Sequence, residues 1–277
     1  MFAAEKGSIP CLELLLQPGA NINAVSKDGW SALMCAAENG NTACLRLLLN
    51  LGADKDAKNK YKRTPLMQAA YFGKDDCVKE LLLQGSEKNA VDEDGDTAVI
   101  LATEKGNVEC LKLLLHYGAD KDVVNKNRWT ALLIAAFYGK KEYIEVLLDA
   151  HAYTEAKNHS GCTALMIATK YGHVESLKRL LQSSADKEAK NKQGWTALMF
   201  AAENGSLECL QLLLKEGADK DAISKGGWTA LMIAAYYGKE EYVKVLLDAH
   251  ADMEIVNKKG CTALMLAENS DCAAQIR

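Results

Sequence analysis

One period governs this chain. Ser31, Thr64, Thr97, Thr130, Thr163, Thr196, Thr229 and Thr262 follow one another every 33 residues without an insertion or deletion. Each opens a version of one phrase: SALMCAAENG, TPLMQAAYFG, TAVILATEKG, TALLIAAFYG, TALMIATKYG, TALMFAAENG, TALMIAAYYG and TALMLAENSD. A second phrase completes the unit, as in ECLKLLLHYGADKD from Glu109 and ECLQLLLKEGADKD from Glu208. A period of this size signals a stack of small modules, none of which can bury its apolar face alone.

The residues of one unit read as helix, turn, helix, loop. The Ser or Thr hydroxyl is placed to accept from a free backbone N–H at the start of the first helix. Leu33, Met34 and Ala37 then share a face, and Gly40 and its equivalents end the helix. The second helix carries Cys44, Leu45, Leu48 and Leu49 as its buried stripe and stops at Gly52, a residue free to take positive φ. The polar run from Ala53 through Lys60 reads as an exposed, hairpin-like loop. Ala36, Ala37 and their equivalents leave room for close approach of neighbouring helices.

The phrase T-A/P-L-x-x-A-A-x-x-G, the leucine-rich helix and the G-A-D loop at this period resemble the ankyrin repeat over essentially the whole chain. The resemblance implies an all-α solenoid of helix-turn-helix units with hairpin-like loops, about eight repeats long. The family's T-P-L-H appears here mostly as T-A-L-M. Pro remains only at Pro65, and the His is replaced by Met34, Met67, Ile100, Leu133, Met166, Met199, Met232 and Met265. In the family that His ties neighbouring loops by hydrogen bonds, so its loss implies a more purely apolar seam. The dialect, with G-W before the cap, is similar to the large ankyrin families of single-celled parasitic eukaryotes, where such arrays stand alone or are joined to a protein kinase domain.

A longer copying event overlies the short one. Residues 130–162 match 229–261, 99 residues away, more closely than they match adjacent units, and 97–129 pair with 196–228 in the same way. The copied block includes His151 and His250, which occupy the G-A-D glycine slot and read as residues tolerating an unusual helix end. We expect a single array over 1–277: a truncated repeat at 1–30, seven full repeats at 31–261 and a partial repeat at 262–277. Asp271 holds a repeat-glycine position. Either the divergent ends, Lys6 to Pro18 and Glu268 to Arg277, act as makeshift caps, or the array belongs to something longer.

Composition sets limits on function. With 33 Lys+Arg against 37 Asp+Glu there is no basic excess for general nucleic-acid binding. No apolar run reaches the roughly 18 residues of a membrane helix, and no secretory leader precedes the repeats. Cys11, Cys44, Cys77, Cys110 and Cys209 share one phase of the period, a repeat apart, too far for bridging. They read as reduced core thiols of a cytoplasmic protein.

Chemistry leaves little trace. The chain has no phosphate loop, no G-x-S-x-G elbow, no H-E-x-x-H and no paired C-x-x-C. Asp92-Glu93-Asp94-Gly95-Asp96 fails as a calcium loop, because its glycine is out of register and Thr103 stands where the bidentate Glu belongs. His116, His151, His159, His173 and His250 lack partners at ligand spacing. No catalytic residue, metal ligand or cofactor is expected.

What varies between copies is a surface. Carrying the family's binding face onto this sequence, the loop-tip slot before the cap holds Trp30, Arg63, Asp96, Trp129, Cys162, Trp195, Trp228 and Cys261. The two positions before the first-helix glycine include Tyr71-Phe72, Phe137-Tyr138, Lys170-Tyr171 and Tyr236-Tyr237. Aromatic side chains are enriched among interface hot spots. The candidate partner-binding residues are therefore Trp30, Tyr71, Phe72, Trp129, Phe137, Tyr138, Tyr171, Trp195, Trp228, Tyr236 and Tyr237, although a loop-tip Trp can equally pack on its neighbouring loop. Loop lysines such as Lys58, Lys60, Lys190, Lys192, Lys258 and Lys259 suit an acidic or phosphorylated partner segment, and equally serve solubility. The expected function is a monomeric, non-enzymatic scaffold or adaptor that holds an intracellular protein. The alternative is the targeting region of a larger enzyme, most plausibly a kinase.

Overall fold

The structure, a computed structural model, describes residues 1–267 and 270–276. It is all-α, and its extended structure among the described residues is one isolated antiparallel bridge between Val25 and Ser31. The chain packs as two compact units, Met1–Ile134 with Asp149–Ala152 and Ala135–Leu148 with Tyr153–Arg277.

The first unit holds α1 (Phe2–Glu5), α2 (Ile9–Leu15), α3 (Ala32–Asn39), α4 (Thr42–Asn50), α5 (Pro65–Tyr71), α6 (Asp75–Leu83), α7 (Ala98–Lys105) and α8 (Val108–His116). Helices α9 (Ala131–Phe137) and α10 (Lys141–Asp149) follow. The second unit continues with α11 (Ala164–Lys170), α12 (Val174–Gln182), α13 (Ala197–Glu203), α14 (Leu207–Lys215), α15 (Ala230–Tyr236), α16 (Glu240–Asp248), α17 (Ala263–Leu266) and α18 (Ser270–Ile276). Odd-numbered helices pack on odd and even on even: α1, α3, α5 and α7 form one row in the first unit, and α11, α13, α15 and α17 one row in the second. This is the solenoid arrangement expected from the period.

The cap forms as expected. Ser31 Oγ accepts from Met34 N at 3.2 Å and Thr229 Oγ1 from Met232 N at 3.2 Å, with the same bond at Thr64, Thr97, Thr130, Thr163 and Thr262. Thr196 departs from the pattern, its buried Oγ1 having no partner. Gly40 and Gly106 cap α3 and α7 with left-handed backbone. Gly205 again departs: alone among the repeat glycines from Gly40 to Gly238 it does not take positive φ, and a Cβ on it would lie 2.7 Å from Ala201 Cα. His151, Ser184 and His250 take φ of 59°, 62° and 60°, so the glycine slot keeps its left-handed geometry without glycine.

Burial follows the two stripes. Ala36, Ala37, Ala69, Ala70, Ala201 and Ala202 are inaccessible to solvent, as are Leu45, Leu48, Leu81, Leu111 and Leu114. The seam residues from Met34 to Met232 are buried, whereas Met265 is 70% exposed.

The expectation of a purely apolar seam needs correction, because hydrogen bonds recur at three fixed offsets. Loop main chains join, as in Lys60 N to Asp28 O and Lys225 N to Gln193 O, both 2.9 Å. Loop carboxylates and amides accept from the backbone 31 residues on, as Asn23 Oδ1 does from Asp54 N and Asp221 Oδ1 from Asp252 N. The residue after the first-helix glycine reaches back to the previous repeat's helix end. Asn41 Nδ2 donates to Ala4 O and Glu5 O, Asn107 Nδ2 to Ala70 O and Tyr71 O, and Lys239 Nζ to Glu203 O, while His173 Nε2 lies 3.0 Å from Phe137 O. These groups occupy carbonyls at the helix ends, where intrahelical donors run out.

Two further expectations change. Cys44, Cys77, Cys110 and Cys209 are buried free thiols, but Cys11 is exposed, because α2 is covered on one side only. Residues 6–18 do not give the polar outer face of a cap, since Leu14 and Leu15 stand exposed. Within the C-terminal cap expected over 268–277, Glu268, Asn269 and Arg277 lie outside the described residues.

Replacing Asn107 with Ala leaves the Tyr71 carbonyl without its side-chain donor and should lower unfolding stability by about 1–2 kcal/mol. An unchanged urea midpoint would discard the tie. Burial raises the Cys77 and Cys209 thiol pKa values, and burial with the Asp75 carboxylate, 2.9 Å from Sγ, raises that of Cys110. A raised thiol pKa keeps the group protonated and unreactive to higher pH, so Ellman's reagent at about pH 8 should modify Cys11 at once and these three only after unfolding.

Candidate partner-binding site

The loop tips are built by a slot that the repeat phrase does not advertise. Asn59 Oδ1 accepts from Tyr61 N and Arg63 N, Asn125 Oδ1 from Asn127 N and Trp129 N, and Asn191 Oδ1 from Gln193 N and Trp195 N. Asp92 and Asn257 do the same, and Ser26 and Ser224 use Oγ to hold Trp30 N and Trp228 N. Each bond fixes the backbone of the tip residue and so aims its side chain.

The slot also meets the tip residue 29 positions earlier. Arg63 Nε lies 3.1 Å from Asp92 Oδ2, Asn125 Nδ2 donates to Asp96 Oδ1 at 2.8 Å, and Asn191 Nδ2 points to Cys162 Sγ at 3.8 Å. At two of the tryptophan tips no acceptor is offered. Asn59 and Asn257, one slot beyond Trp30 and Trp228, keep buried Nδ2 groups without partners. An unpaired buried donor costs about 1–3 kcal/mol. Trp30 and Trp228 therefore carry a local penalty.

In the first unit Trp30 and Trp129 are half-buried, Tyr71 is half-buried and Phe72 exposed. Tyr71 packs edge-on against Phe72 at 4.9 Å and is covered by cations, Arg63 at 5.0 Å and Lys105 Nζ at 4.7 Å from the ring centre. The loop cations here are neutralised, Arg63 by Asp92 and Lys60 by Asp28 at 2.7 Å.

In the second unit two aromatic clusters form. Phe137 sits edge-on to Tyr138 at 5.0 Å and to Tyr171 at 4.8 Å, and Tyr171 stacks on His173 at 6.3 Å. Further along, Trp195, Trp228, Tyr236 and Tyr237 line one groove of about 620 Å³, floored by Ile233 and Leu266. Trp228 meets Tyr236 edge-on at 5.6 Å, Tyr236 meets Tyr237 at 5.3 Å, and Trp195 rests on Phe200 at 5.2 Å. Tyr237 donates its hydroxyl proton to Glu203 Oε1 at 3.4 Å. Burial and then the Glu203 carboxylate raise the Tyr237 pKa, so the phenol stays neutral.

Four of the eleven candidates thus share a groove, three form a neighbouring cluster, and four lie in the other unit. None is buried, so none serves only as core. In each pair before the glycine except Tyr236-Tyr237, the first residue is half-buried and the second exposed, because the first lies against its own helix. Sequence reading missed Gly226, Ser224 and Ile233. Gly226 was detectable, since the same slot holds Tyr61, Asp94, Asn127, Ser160, Gln193 and Lys259 in other copies. A Cβ there would stand 3.1 Å from Trp228 Cδ1.

Asp92, Asp94 and Asp96 bring carboxylate oxygens within 4.8 Å of one another. Both oxygens of Asp92 already accept from Arg63 or from backbone N–H groups, which suits the loop-building role.

The model of a family described as "Ankyrin repeats (3 copies)" matches residues 1–92, 66–158, 150–224 and 217–276. No curated protein matches the sequence. No helix among the described residues is long and apolar enough to cross a membrane.

The offset pairing can be checked by comparing two equivalent substitutions. Asn125→Ser removes a satisfied donor and strands Asp96, whereas Asn257→Ser removes a donor that has no acceptor. In urea unfolding the first should cost at least about 1 kcal/mol more than the second. Equal losses would discard the pairing.

Proposed function

The chain belongs to the ankyrin-repeat family, whose repeats are protein-interaction modules, and we propose that it acts as a non-enzymatic adaptor holding a cytoplasmic protein. The chain works as a monomer, and the partner docks on the face made by loop tips and first-helix ends, the concave face of the family. The observation that carries this reading is the convergence of Trp195, Trp228, Tyr236 and Tyr237 on one largely apolar groove. The unpaired Asn257 amide supports it, since a tip tryptophan retained at a cost in stability suggests use outside folding.

The thiols support a non-catalytic role. Burial raises the pKa of Cys35, Cys44, Cys77, Cys110, Cys162 and Cys209, the opposite of what activates a cysteine nucleophile. Exposed lysines on the loops of the second unit favour a partner segment rich in negative charge.

Affinity capture from cytosol with the intact chain and with a Trp228→Ala, Tyr236→Ala, Tyr237→Ala variant tests the proposal. A protein retained by the first should be depleted at least about tenfold by the second, since truncating hot-spot aromatics costs on the order of 2 kcal/mol or more. Equal retention by both, or no protein retained by either, overturns it.

A further inference from the structure

We propose that the groove between Trp195 and Trp228 takes an extended segment of a partner protein in which carboxylates recur at every third residue around one large apolar side chain. This rests on the reading that the loop-tip face is the docking surface, and it names the chemistry of the guest.

The apolar anchor follows from the groove. Its floor is Ile233 and Leu266, its walls are indole and phenol, and its volume is about 620 Å³. That is within the range of about 300–1,000 Å³ found for ligand pockets and leaves room for an aromatic side chain with its flanking backbone. Gly226 keeps it open, because no side chain projects beside Trp228.

The carboxylates follow from the rim. Lys192 and Lys225 line the groove from one slot of the period, Lys258 holds that slot on the next loop, all three are exposed, and none makes an ion pair among the described residues. Their counterpart Lys60 in the first unit is held by Asp28. Glu203 on the opposite wall is engaged by Asn204 Nδ2 at 2.6 Å and the Tyr237 hydroxyl. It repels further acid there, so the guest's carboxylates lie along the loop side.

The spacing follows from the stack. Packed helices lie about 8–10 Å apart, and an extended chain in the polyproline II form advances about 3.1 Å per residue and returns every third side chain to one face. Lysines on successive repeats therefore match carboxylates three residues apart.

The test uses the full chain and a fluorescein-labelled synthetic peptide of about twelve residues, with glutamate at every third position and one central phenylalanine. Fluorescence anisotropy should show saturable binding that weakens with salt. Trp228→Ala should weaken it at least about tenfold, and Lys225→Gln or Lys192→Gln about threefold each. The lysine variants, lying on the exposed rim, should unfold as the parent does and keep the test decisive if Trp228→Ala does not fold. Equal binding of peptides with glutamine for glutamate, or with glutamate at every second position, overturns the assignment. So does binding confined to a phosphoserine version, or Trp228-dependent self-association in sedimentation without peptide. Absence of peptide binding while cytosolic capture still depends on the groove aromatics overturns this inference alone. Capture indifferent to those aromatics overturns the adaptor reading instead.

Discussion

No repeat in this chain can bury its own apolar surface. A first helix of seven or eight residues and a second of nine present leucine, methionine and alanine on faces that only the next pair can cover. Alanine in the paired slots brings helices close enough for that cover to exclude water. Every other feature is arranged around the need to hold neighbours in register: the threonine cap, the left-handed helix ends, the loop main-chain bonds and the side chains that reach back to the preceding helix.

The fold was legible because burial repeats with residue type. Thr, Leu, Ala and Gly recur at fixed phase, and each does one job in nearly every copy. The ties were not legible, because they depend on geometry that several residue types satisfy. Asn41, Asn107, His173 and Lys239 all reach a carbonyl of the preceding repeat from one slot, and Asn, Asp and Ser all build the loop tip from another. Loss of the family's T-P-L-H histidine therefore pointed toward an apolar seam, although polar ties persist at other offsets.

The candidate site was legible in part for a related reason. Aromatic side chains stood out against a constant framework, and the structure buries none of the eleven. Their grouping could not be read from sequence, since the period places every copy in an equivalent position. What singles out the groove is a departure from equivalence. Gly226 and Ser224 are small where most copies carry a larger side chain, Thr196 does not cap, and Gly205 does not turn left-handed. Irregularity gathers in the repeat that runs from Trp195 to Trp228.

The hydrogen bonds offset by 29, 31 and 36 or 37 residues each cross one junction and no more. Within either unit a pull on the chain would therefore load a single junction at a time, with no strap sharing the force over several. Such a stack should yield under tension in equal steps of one repeat, each release about as long as the last. A protein docked along such a stack, as proposed above, would then be let go gradually from one side rather than all at once.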